Sequence, residues 1–298
     1  MTTAIPKTIP QYLEQLRAQL AGSDPALVQD ALYDAEEYLR SEWAEQPGID
    51  EAALLASIAG SYGAPSEVAE IYRGTEATVT RALRVPPPKP RSSVFGKFFG
   101  VLADPRAYTS LLYMLLSLVT GIFYFTWAVT GLSLSVGFAI LIFGIPFIIV
   151  FFASVRGLSL VEGRLVEAML GERMPRRPPY TDRDQPMLSR IKSMFVDPRT
   201  WSSMFYMLLM LPLGMVYFVF AIMAMTFSVA IAAAPIAQVF SDDVIITFGY
   251  AEYFLPLWTA PITIVTGIVM IVLTLHAARG IGLMHAQLAK HLLVRQAA

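Results

Sequence analysis

Three histidines, His276, His285 and His291, are the chain's only imidazoles. Metal-binding pairs on a helix sit at i and i+3 or i+4, whereas these are nine and six positions apart, so they do not gather on one face. They read as interfacial or cytoplasmic surface residues. The chain has no cysteine, which excludes disulfides, thiolate metal sites and cysteine nucleophiles. There is no Gly-rich phosphate loop, nucleophile elbow or kinase signature. No ionisable residue falls within the apolar core of an expected membrane span, so a proton relay or ion path is not expected. The sequence therefore predicts a protein that is not an enzyme, with no metal and no cofactor. What remains is charge. Arg173, Arg176 and Arg177 are candidate contacts for anionic lipid headgroups or for an acidic domain of the same chain. Asp242, Asp243, Tyr250, Glu252 and Tyr253 form a candidate sensing insertion, with an interfacial segment anchored by aromatics as the plainer reading.

These residues are set among long apolar runs. Hydrophobic residues make up 55% of the chain and charged residues 15%, too apolar for one soluble domain. Positions 107–155, 200–241 and 253–278 contain no Asp, Glu, Lys or Arg. One spanning helix needs about 20 apolar residues. The first run therefore holds two spans, broken near Thr130-Gly131-Leu132-Ser133, and the other two hold one each. Pro146, Pro212 and Pro261 read as packing kinks. The connector from Arg156 to Arg199 is rich in arginine, while the opposite loops carry only Asp242, Asp243 and Glu252. Basic residues mark the cytoplasmic side, so both termini and the connector are expected there.

The apolar region repeats itself. From Asp104 to Phe125 and from Asp197 to Phe218, 93 positions on, 12 of 22 residues are identical. Each copy opens with Asp-Pro-Arg: Asp104 and Asp197 as helix caps, Pro105 and Pro198 at the first helical position, where a missing N–H costs nothing. A second correspondence, RGLSLVEGRLVEAML from Arg156 and RGIGLMHAQLAKHLL from Arg279, lies 123 positions apart. Two parallel repeats in a four-helix membrane bundle follow, with an extra outer segment at about 228–258 in the second.

The front of the chain is soluble in character, with no cleavable signal peptide expected. Helical spacing places Tyr12, Leu13, Leu16 and Leu20 on one face, then Leu27, Val28, Ala31 and Leu39, then Leu54 and Ile58, then Val68, Ile71 and Tyr72. Between residues 1 and 80 there are 13 acidic and four basic residues, a solvated face or a docking surface for a basic partner. The fold class is all-α. Residues 1–84 form a cytoplasmic helical domain and 85–97 a Pro-rich linker. Residues 98–172 form the first membrane unit, 173–190 a basic connector, and 191–298 the second unit.

The segment QYLEQLRAQL, DALYDAEEYLRSEW and ASIAGSYGAPSEVAEIYR resembles a HAAS-type signalling domain, a cytoplasmic helical module fused to bacterial membrane segments. DPRTWSSMFYMLLMLPLGMVYFVF and RGLSLVEGRLVEAMLG are similar to the sensor domain found ahead of bacterial histidine kinases. In that pattern Thr200-Trp201 and Glu162 with Arg164 match, whereas Ala107-Tyr108, His285 and Gln287 depart from it. The resemblance implies signalling from the bacterial inner membrane. Membrane lipids and a cytoplasmic protein are the expected partners, a homo-oligomer is compatible, and no direct nucleic-acid binding is expected. A small transporter or channel, or an accessory subunit of a membrane complex, is the competing class.

Overall fold

In the computed structural model, residues 6–46, 48–58, 60–83, 93–141, 144–176, 192, 195–240, 246–248, 251–253 and 256–294 are described. Polar caps start the first two helices. Thr8 accepts from the Gln11 amide ahead of α1 (Ile9–Gln19), and Asp24 accepts from the Ala26 amide ahead of α2 (Pro25–Glu45). Gly22 and Gly63 turn the chain at φ of 83° and 104°, the left-handed region open to glycine. With α3 (Glu51–Ile58) and α4 (Pro65–Leu83) these helices enclose a core whose centre, Leu16, Leu20, Leu39 and Leu54, has no exposed area. The Tyr12 hydroxyl donates to the Gly63 carbonyl at 2.8 Å and ties the first helix to the last turn. Ile71 departs from the expected face: it is 62% exposed, while Tyr72 one position on packs against the core and donates to Asp34 at 2.8 Å.

After α5 (Val94–Phe99), a 3-10 turn (Gly100–Ala103) leads into α6 (Pro105–Phe138). Then come α7 (Gly144–Leu170), α8 (Pro198–Phe240) and α9 (Ala260–Leu293). All four are long and apolar enough to cross a membrane. Val119, Val150 and Val216 on them are 63%, 66% and 64% exposed, as a lipid-facing surface requires. The protein is a multi-pass membrane protein with an all-α fold. Asp104 accepts from the Arg106 amide at 3.0 Å and Asp197 from the Arg199 amide at 3.1 Å, so the same phrase starts α6 and α8 in the same way.

One expectation needs correction here. The break near Thr130 does not occur: α6 continues to Phe138, and the turn follows it. Gly131 is helical, and any side chain there would collide with the Phe151 ring packed over it. What looked like a turn signal is a site of close helix packing. In the outer segment, α8 runs on through Pro235 to Phe240, and two three-residue strands follow, β1 (Ile246–Phe248) and β2 (Ala251–Tyr253), paired antiparallel. Glu252 stands opposite Thr247 and Tyr253 opposite Ile246, while Asp242, Asp243 and Tyr250 lie outside the described residues.

The two hairpins meet where α6 crosses α8. A Cβ on Gly121 would lie 2.5 Å from the Met210 carbonyl oxygen, and one on Gly214 would lie 3.1 Å from Leu118 Cα and closer still to the Ser117 carbonyl. The pairing runs in opposite senses, 117 with 214 and 121 with 210. Phe152, well into the first hairpin, packs 4.7 Å from the Phe195 ring just ahead of α8. The helices are therefore antiparallel where they touch, not side by side in one sense as expected from two hairpins with the same entry side. Loop charge reports which side a loop occupies; it carries no information on how helices cross.

Candidate functional site

Tyr113 and Tyr124 are eleven positions apart on α6, three full turns, and so share a face. Tyr206 and Tyr217 have the same spacing on α8. Between them lie Glu162 of α7 and His285 of α9, each 1% exposed. The Glu162 carboxyl accepts the Tyr113 hydroxyl at 2.6 Å and the Tyr206 hydroxyl at 2.9 Å on Oε1, and the Tyr124 hydroxyl at 3.0 Å on Oε2. The same two bridging hydroxyls lie 2.6 and 2.9 Å from His285 Nε2. Tyr217 meets Nδ1 at 3.4 Å.

A hydroxyl carries one proton. Since Tyr113 and Tyr206 both donate to Glu162, the proton between them and His285 must sit on Nε2, and Nδ1 accepts from Tyr217. Every polar atom of the cluster is then satisfied, which a buried network requires. The six residues come from four helices, so the cluster binds the membrane region together at one point. Among the described residues no group of three or more His, Asp or Glu could hold a metal ion.

The cluster overturns two expectations. His285 is not a surface residue, and the spans do contain a buried ionisable pair. The residues that occupy this site are related by the sequence offsets already noted: 93 for Tyr113 and Tyr206 and for Tyr124 and Tyr217, and 123 for Glu162 and His285. That relation was the available signal, since it puts a carboxylate and an imidazole in equivalent places facing matching tyrosines. The same offsets link two ion pairs that cross between hairpins. Arg156 of α7 holds Asp197 at 3.0 Å, and Arg279 of α9 holds Asp104 at 2.5 Å. Each helix-capping aspartate thus also anchors an arginine from the other hairpin.

The arginines singled out by charge lie elsewhere, where the chain leaves α7. Gly171 ends that helix at φ 82°, and Met174 inserts beside Gly163 with no exposed area. Arg173 lies between Asp30 and Glu76 of the front domain, and the Arg176 amide donates to Asp30 at 2.8 Å. Lys290 of α9 pairs with Asp24 at 2.6 Å and Glu172 at 3.5 Å. This is a seat for the front domain, built from the ends of α7 and α9. Arg177 lies outside the described residues.

Antiparallel helix pairs, lipid-facing valines and a sealed polar cluster drawn from four helices define a membrane bundle with an internal polar core. The family described as "Putative sensor" matches residues 113–293, over half of the chain, which therefore belongs to that family. Its span runs from the first bridging tyrosine to the end of α9 and contains the whole cluster. No curated protein and no solved structure matches the chain.

Proposed function

We propose that this is a non-enzymatic membrane sensor that couples a membrane or external stimulus to a cytoplasmic protein through its acidic, HAAS-like front domain. One observation carries the reading: the front domain is held by ion pairs from the ends of two membrane helices, Arg173 after α7 and Lys290 on α9. A shift of either helix reaches the domain directly. The bacterial inner membrane, with cytoplasmic termini, is the location that the basic residues support. The repeated phrases and offset-related contacts support two units related by a pseudo-two-fold axis. If that axis lies along the membrane normal, an antiparallel crossing requires α6 and α8 to incline by more than about 45°, beyond the usual 0–40° range.

In a pull-down from the native membrane, the full chain is expected to capture a cytoplasmic protein, and capture should be lost when Asp24, Asp30 and Glu76 are replaced by Asn or Gln. If capture is unaffected by that replacement, or nothing is captured, the acidic domain is not the output. One observation favours a second reading. Buried ionisable residues in a membrane bundle commonly mark transport paths, and Glu162 with His285 is such a pair. Flux of protons or small cations into proteoliposomes, abolished by Glu162→Gln, would rank the transporter first; the sensor reading expects no flux.

A further inference from the structure

The sealed cluster and the domain seat stand on the same two helices. Glu162 lies ten positions before Glu172, and His285 five before Lys290. At about 1.5 Å per residue, the cluster is one to three helical turns from the seat along each arm. Both arms are continuous helix up to their ends, Leu170 in α7 and Leu293 in α9. At the seat the arms are tied by the Lys290–Glu172 ion pair at 3.5 Å and by an apolar cluster that holds Val166, Leu170 and Met174 with Ala286, Ala289 and Leu293. Farther in, they are joined through tyrosine: Tyr113 and Tyr206 each hydrogen-bond Glu162 of one arm and His285 of the other.

The seat needs both arms in register. Arg173 and the Arg176 amide come from one, holding Asp30 and Glu76; Lys290 comes from the other, holding Asp24 at the start of α2. We propose that the Glu162–Tyr113–Tyr206–His285 bridge is a bolt between α7 and α9 that controls docking of the front domain. With the bolt closed, the ends of both helices stand at the spacing that Asp24 and Asp30 require. When it opens, Lys290 and Arg173 separate and the domain is released. The cluster suits this because its bonds are all-or-none: a bridging hydroxyl that leaves one partner strands a buried polar group, so intermediate positions are disfavoured. This inference rests on the sensor reading for its purpose, but its geometry is independent of any partner.

Hydrogen exchange on the full chain in phosphatidylcholine nanodiscs tests it. The double variant Tyr113→Phe/Tyr206→Phe removes both bridging hydroxyls and keeps the rings. Exchange at the Arg176 amide and through the first turn of α2 is expected to speed up by about tenfold, as in a directly undocked control, Lys290→Ala with Asp30→Asn. Should the double variant fail to fold, Tyr206→Phe alone is expected to give about a threefold change, because half the bridge remains. Coupling is reciprocal, so Lys290→Ala is expected to shift the imidazole NMR signal of His285. Unchanged seat exchange in the folded tyrosine variants, with the control responding, overturns the proposal, as does an unmoved His285 signal. Failure to capture a partner overturns the sensor reading instead and leaves the bolt standing.

Discussion

Glu162→Leu is expected to destabilise the membrane region by about 2–4 kcal/mol, because buried donors left without acceptors each cost about 1–3 kcal/mol. The loss falls unevenly. Tyr113 and Tyr206 still accept from His285 Nε2–H but lose the oxygen that takes their own protons, whereas the Tyr124 hydroxyl loses the carboxylate oxygen that is its partner in the cluster. Leucine fills most of the glutamate's volume, so the effect reports hydrogen bonding more than a cavity. Glu162→Gln should cost about 1 kcal/mol. Its amide oxygen still accepts from Tyr113 and Tyr206, and its amide nitrogen can donate to Tyr124. Thermal unfolding in mild detergent should order the variants wild type, Gln, Leu, with the Leu variant lower by roughly 5–12 °C for a region of this size. Equal melting temperatures for Gln and Leu would show that the tyrosines do not depend on this carboxyl group.

The cluster also marks the limit of what the sequence disclosed. Apolar runs, the Asp-Pro-Arg helix starts and the helical front domain were legible because each is local: composition over about 20 residues, or a cap within one turn. Glu162 was visible only as a match to the sensor-domain pattern; its burial escaped because it lies beyond Arg156, where the uncharged run ends, and an amphipathic stretch after a charge reads as leaving the membrane. In the structure α7 is one unbroken helix through Leu170, and Arg156 is not a boundary but a partner for Asp197. His285 was misjudged by the same rule, applied after Arg279. Its mismatch with Glu162 in the two repeats looked like decay of a pattern. The geometry shows the two residues as complements, an acceptor pair and a donor served by the same hydroxyls. The crossing sense of α6 and α8 was not legible at all, because it depends on which small residues face each other across 93 positions of sequence.

Those small residues set the second large effect. Gly121→Ile and Gly214→Ile are each expected to destabilise the bundle by about 3 kcal/mol or more, at or above the upper end of ordinary overpacking. The obstacle is backbone, not a movable side chain: Cβ on residue 121 meets the Met210 carbonyl at 2.5 Å, and Cβ on 214 meets the Ser117 carbonyl and Leu118 Cα. Even alanine forces α6 and α8 apart. It gains about 1 kcal/mol of helix propensity over glycine, so Gly121→Ala tests which term wins, and at this separation the clash should. Gly157→Ala and Gly280→Ala are the matched controls, since nothing lies within 4 Å of a Cβ at either position. They should be neutral or up to about 1 kcal/mol stabilising, from propensity alone. Because 121 and 214 open the same contact, the double alanine variant should cost clearly less than the two single costs added together. Thermal unfolding of the single alanine variants at 121, 214, 157 and 280 and of the 121/214 double decides it. Additive losses at 121 and 214, or losses no larger than at 157 and 280, would mean that α6 and α8 do not meet backbone to backbone, and the crossing described here would have to be abandoned.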